Sequence, residues 1–241
     1  MRAILFDLDG TLLDIDINAF LTKYFSALTE AVGSIVEDPA SVSGAMDGIM
    51  HATDQMMKPH PGVTNQRVFV DALRAATGID IEQHWEVFDR FYEETFPGLG
   101  AELGPAPGAH DAWSAALRCG LKVAVATNPI FPAVAIEHRL RWAGIDRGTA
   151  SIVTTYEVMT ASKPHAEYYR QTAEMLGVDP SDCLMVGDDG YLDMPAADIG
   201  METFYVGPDP DVVADYRGSL SDLSLLIPRL CEAEDSTRPS F

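Results

Sequence analysis

Four short stretches carry residues whose types and spacing could do chemistry. The first is Asp7-Leu8-Asp9-Gly10-Thr11, which follows the apolar run Ala3-Ile4-Leu5-Phe6. Side chains two apart in an extended segment point the same way, so Asp7 and Asp9 can face one site. Two carboxylates that close repel each other unless a cation sits between them or one takes a proton. The second stretch is Thr127-Asn128, after the apolar run Val123-Ala124-Val125-Ala126. The third is Lys163-Pro164. The fourth is Gly187-Asp188-Asp189 with Asp193, after Cys183-Leu184-Met185-Val186. Acids from two strands can share a hard cation through oxygen ligands, and Mg²⁺ suits such a set because it takes few protein carboxylates and keeps several waters. A hydroxyl at Thr127 and an ammonium at Lys163 are donors for phosphate oxygens. An acid lined up with a phosphorus can act as a nucleophile and become an aspartyl phosphate.

For these groups to meet, the elements carrying them must be parallel strands that end on one edge of a sheet, where open α/β folds gather their ligands. The pattern supports this. From residue 109 onward, apolar strand-length runs alternate with helical periodicity: helices over 109–119, 132–143 and 165–176 alternate with strands over 121–126, 151–155, 183–186 and 202–206. A helix follows the fourth motif to about Ile199, and the tail near 219–230 is helical. Alternating strands and helices predict a parallel sheet with right-handed crossovers. The expected fold class is therefore α/β, a Rossmann-like parallel sheet.

Residues 15–103 break the alternation. Four helical patterns are expected there, one carried by Phe20, Leu21, Tyr24, Phe25 and Leu28 and the others over 39–57, 65–77 and 81–96, with no strand between them. Asp16 or Asn18 is a candidate cap for the first. The expected division is a core of 1–14 and 104–241 with an inserted all-helical cap of 15–103. The turn-rich stretch 97–108 reads as the return linker. Lys58, His60 and Arg67, near a cap loop, are candidate substrate contacts. The acidic tail 232–236 reads as a frayed end.

Composition excludes several classes. The 241-residue chain carries 37 acidic against 16 Lys and Arg residues, a net charge of −21. That disfavours nucleic acid or an anionic membrane as partner. The three cysteines, Cys119, Cys183 and Cys231, are scattered without a CxxC, which implies reduced thiols, a cytoplasmic setting and no zinc site. Asp7 interrupts the first apolar run too early for a signal peptide.

The four motifs together, in this order, resemble the haloacid dehalogenase-like (HAD) superfamily, and the insert after the first strand resembles its small helical cap. The resemblance covers about 1–14 and 104–241. It implies a Mg²⁺-dependent phosphatase acting on a small phosphorylated metabolite, phosphoglycolate-phosphatase-like or nucleotidase-like, as a monomer or homodimer. Under it Asp7 is the nucleophile, and Asp9 protonates the leaving oxygen and then activates water. Thr127 and Lys163 hold the transferring oxygens, Thr11 and Asn128 contact substrate, and Asp188 ligates the metal directly. Asp7 and the Asp9 carbonyl join it, with Asp193 or Asp189 in support. Asp9 separates readings within the family, because a departing halide needs no proton and the dehalogenases lack an acid there. Asn128, Pro129 and the Met194-Pro195-Ala196-Ala197 helix start depart from the usual pattern. A phosphomutase, a dehalogenase and a catalytically silent binding protein are the alternatives. Product analysis with a hexose phosphate, halide release from a 2-haloacid, and the absence of turnover of an aryl phosphate with Mg²⁺ would respectively identify them.

Overall fold

A computed structural model describes residues 1–36 and 38–235. Six parallel strands form the sheet: β1 (Ala3–Phe6), β4 (Lys122–Val125), β5 (Ile152–Val153), β6 (Cys183–Gly187), β7 (Glu202–Tyr205) and β8 (Tyr216–Arg217). They lie in the order β5-β4-β1-β6-β7-β8. β1 is central, with Leu5 opposite Ala124 on one side and Met185 on the other. All four of its residues are fully buried, as an all-apolar run in a parallel sheet requires. Alternation divides them between two cores: Ile4 and Phe6 join one apolar cluster, Ala3 and Leu5 the other. The first core holds helices α6 (Ala109–Arg118), α7 (Ala133–Trp142) and α9 (Leu220–Asp235); the second holds α8 (Ala166–Leu176). β8 was not anticipated; two residues on a sheet edge leave no periodicity to read.

A second pair of strands stands apart from the main sheet. β2 (Leu13–Asp14) and β3 (Gly104–Pro105) pair antiparallel, Leu13 opposite Pro105 and Asp14 opposite Gly104. β3 lies within the stretch expected to be linker only. The described residues between them are helical or loop: α1 (Ile17–Gly33), a 3₁₀ turn and α2 (Val42–Met56), α3 (Asn65–Thr77), then a segment from Ile81 to Leu99 that contains α4 (Trp85–Arg90) and α5 (Phe96–Leu99). The core is α/β, and the insert is all-helical.

Local chemistry accounts for the ends of these helices. Asp16, rather than Asn18, caps α1, accepting from the Asn18 and Ala19 N–H groups. Gly78 closes α3 in the left-handed conformation. The segment 81–96 was expected to be one α-helix, but it starts as 3₁₀ and passes through a π turn at Phe91–Thr95. The i→i+5 geometry keeps Phe91 and Phe96 both against Tyr24, at 5.9 and 6.0 Å between centroids. Phe96 also stacks on Trp142 of α7 at 5.3 Å, so insert and core share one aromatic cluster. The expected helix to Ile199 is a 3₁₀ segment containing Pro195. The tail helix continues through Asp235 instead of fraying at 232, and Ser236 lies outside the described residues. No described helix is long and apolar enough to cross a membrane.

Candidate active site

β1 lies where the chain's direction across the sheet reverses, with β4 and β5 on one side and β6 to β8 on the other. Such a switch point opens a crevice beyond the strand carboxyl ends. The Asp7 N–H continues the ladder to the Val186 carbonyl, and the Ala126 N–H to the Phe6 carbonyl. Asp7, Thr127 and Asp188 are thereby brought to one edge. Together with Asp9, Asn128, Lys163, Asp189, Leu192, Asp193 and Arg139 they line a cavity of about 220 Å³, closed on the insert side by Ile17 and Leu21.

Lys163 is not at a strand end; β5 stops at Val153 and a loop carries the chain onward. The Asn128 side-chain oxygen fixes that loop by accepting the Lys163 N–H at 3.2 Å. The Lys163 ammonium, 1% exposed, donates to Asp7 Oδ1 at 2.7 Å and to Asp193 Oδ1 at 2.6 Å. Burial works to lower its pKa, but Asp193 and Asp7 outweigh burial and hold it well above the usual lysine value.

Asp7, Asp188 and Asp193 offer carboxylate oxygens within 4.8 Å of one another. Burial and the Asp7 charge raise the Asp188 carboxyl to about 6. Burial likewise raises Asp193 to about 7, against the pull of Lys163. Five carboxylates, Asp7, Asp9, Asp188, Asp189 and Asp193, line the cavity against two cations, Lys163 and Arg139. The excess of negative charge and the all-oxygen donor set fit one hard divalent ion. Gly10, at φ +83°, sits against Asp188, and Gly187 sits against Asp193; a side chain at either would strike the carboxylate.

Asp189 and Asp193, both candidates for support, occupy different places. Asp189 turns its carboxylate to the N–H groups of Tyr191 and Leu192, whereas Asp193 stands in the acidic cluster. Asp193 Oδ2 also accepts the Asp189 N–H at 3.1 Å. Thr11, expected at the substrate, is fully buried, and its hydroxyl donates to Asp188 Oδ1 at 3.1 Å. It positions an acid from behind, because the turn after Gly10 carries it out of the cavity. Thr127 and Asn128 do line the cavity. Lys58, His60 and Arg67 do not; Arg67 pairs with Asp71 and Glu82, and His60 bonds the Met56 and Val63 carbonyls.

Sequence reasoning missed Arg139. Its guanidinium is 1% exposed and donates from Nη1 to Asp9 Oδ2 at 2.7 Å. It lies over Phe131 at 4.0 Å and Phe20 at 4.9 Å from the ring centroids. Burial pushes the Asp9 carboxyl up, Arg139 opposes it, and Asp7 adds to the rise. The available signal was an arginine on the apolar stripe made by Ile136 and Leu140 of α7 and its C-cap Ala143. Arg139→Met leaves Asp9 Oδ2 without this partner, and Asp9 Oδ1 already has none. We expect a loss of about 3 kcal/mol in denaturant unfolding, with no recovery in Arg139→Lys, which lacks the flat face for stacking.

The raised carboxyls also predict how the metal-free protein responds to pH. A carboxyl whose folded pKa exceeds its unfolded one binds more protons in the folded state, so stability falls as pH rises through the interval. For Asp188 and Asp193 that interval runs from the ordinary carboxylate range to about 6 and about 7. With chelator present, Tm should be higher near pH 5 than near pH 8, and a divalent cation should raise Tm more at the higher pH. Scanning fluorimetry with and without Mg²⁺ checks both.

Comparison with known proteins bears on this geometry. The family model of haloacid dehalogenase-like hydrolases matches residues 1–198. The chain belongs to the HAD-like hydrolases. Among curated proteins it is 27% identical to the N-acetylmuramic acid 6-phosphate phosphatase of Pseudomonas aeruginosa over 237 residues, covering 92% of this chain and 94% of that one. Among solved structures it is similar to a HAD phosphatase from Thermococcus onnurineus, with TM-score 0.60, 20% identity, and 94% and 98% of the two chains covered. It is also similar to an L-2-haloacid dehalogenase from Xanthobacter autotrophicus, with TM-score 0.55, 17% identity, and 95% and 98% covered. At those identities the two solved structures speak to the HAD fold, which serves both a phosphatase and a dehalogenase. The site residues must separate the two chemistries.

Proposed function

We propose that this hydrolase is a Mg²⁺-dependent phosphatase that cleaves small-molecule phosphate monoesters through an aspartyl phosphate on Asp7. The observation that carries the reading is that Asp7, paired with a buried lysine, and a second acid two residues on line the same cavity. A departing halide would need no proton from that second acid, whereas a departing alkoxide does. The phosphatase relative at 27% identity supports the same reading.

In this reading Asp7 attacks the phosphorus, and the bond from phosphorus to the ester oxygen breaks. A proton from Asp9 goes to the departing alkoxide. Asp9, now ionised and held by Arg139, takes a proton from a water that attacks the phosphorus. The bond to Asp7 then breaks and inorganic phosphate leaves. Lys163 and Thr127 hold the equatorial oxygens as charge spreads over them. Asp7, Asp188 and Asp193 would hold Mg²⁺, with the Asp9 carbonyl; the ion would neutralise phosphoryl charge. The helical segment 15–103 serves as the cap that covers the cavity and excludes water.

Turnover of 4-nitrophenyl phosphate with Mg²⁺, abolished by chelator, tests the reading. Halide release from a 2-haloacid without phosphatase activity would replace it. Asp9→Asn should lower kcat/KM for an alkyl phosphate on the order of 10²–10⁴-fold. The loss for 4-nitrophenyl phosphate should be much smaller, since its leaving group needs little protonation.

A further inference from the structure

A second cavity, about 200 Å³, adjoins the acidic one, and the two share Leu21, Ile130 and Phe131 as walls. Beyond that divide it is lined by Phe25, Leu28, Ile49, Phe69, Trp85 and Phe88, among others, and no charged side chain lines it. Three of its four hydroxyls are engaged within the protein: Tyr24 and Tyr92 hydrogen-bond each other at 2.9 Å, and Thr53 donates to the Ile49 carbonyl at 2.9 Å.

From this adjacency we propose that the second cavity is the leaving-group subsite, and that the substrate is the phosphate ester of an apolar alcohol, aliphatic or aromatic. The inference rests on the phosphatase reading for the reaction but on the cavity wall for the substrate class. A sugar placed there would bury several hydroxyls against a wall made mostly of rings and methyl groups, at about 1–3 kcal/mol for each one left without a partner. An alkyl or aryl group loses nothing of this kind and gains from leaving water. The shared side chains put the ester bond at the boundary, with the phosphoryl group beside Asp7 and Lys163 and the apolar group under α1, α2 and α3.

The test is a homologous series on the intact protein. Calorimetry with methyl-, butyl- and hexylphosphonate in Mg²⁺ should show affinity rising with chain length, approaching fourfold per added methylene. Hexylphosphonate should bind at least about tenfold tighter than methylphosphonate, with a more negative heat-capacity change. Phe69→Asn, which puts an amide into the wall, should cut that hexyl-to-methyl ratio about fivefold or more. In turnover, kcat/KM for hexyl phosphate should exceed that for glucose 6-phosphate. Equal phosphonate affinities, or a preference for glucose 6-phosphate, would overturn the subsite while leaving the phosphatase reading intact. A rising phosphonate series with no ester hydrolysed would uphold the subsite and remove the phosphatase reading instead.

Discussion

Asp7→Asn should abolish phosphatase turnover, with kcat down on the order of 10⁴–10⁶-fold, while the protein stays folded. The amide keeps the size of the carboxyl and loses its nucleophilic oxygen. Because Lys163 retains Asp193 at 2.6 Å, the lysine stays paired. The change also removes the charge that, after burial, raises Asp188 most. Metal-free Tm should therefore hold or rise, and its decline between about pH 5 and pH 8 should flatten. Assay with 4-nitrophenyl phosphate beside a pH series of melting curves separates the two effects. A variant with wild-type kcat would remove Asp7 as the nucleophile.

Lys163→Met should cost both activity and stability. The ammonium is the buried counter-charge of Asp7 and Asp193. Removing one partner of such a group leaves uncompensated charge, a penalty of about 3–5 kcal/mol at neutral pH. Chemical denaturation should show it, and the deficit should shrink toward pH 5 as the raised Asp188 and Asp193 carboxyls take up protons. Adding Asp193→Asn should recover part of the loss, since the two residues share one ion pair and their effects are not additive. Activity should not recover with it if, as proposed, Lys163 donates to the transferring phosphoryl oxygens; such losses are about 10²–10³-fold in kcat.

The two halves of the site were legible to different degrees. Asp7, Asp9, Thr127 and Asp188 stand at the ends of apolar runs that periodicity marks as strands, so their meeting follows once the sheet is parallel. Lys163 was named as a site residue, but its route there was not visible. It depends on a loop tied down by Asn128, a contact across 35 positions. Asp189 and Asp193 were equivalent in the sequence. What separates them is that the turn after β6 spends the Asp189 carboxylate on its own backbone.

From the chain alone came the α/β core, the helical insert and the motif acids, because hydrophobic period and local caps are properties of neighbouring residues. The tertiary structure alone decided that Arg139 would face Asp9, 130 positions away. It also decided that Thr11 would serve Asp188, and that two elements of the aromatic cluster, insert and core, would leave an apolar cavity beside the acids. Those outcomes depend on how helices stack on a sheet, and residues far apart in sequence leave no periodic trace of the side chain they will meet.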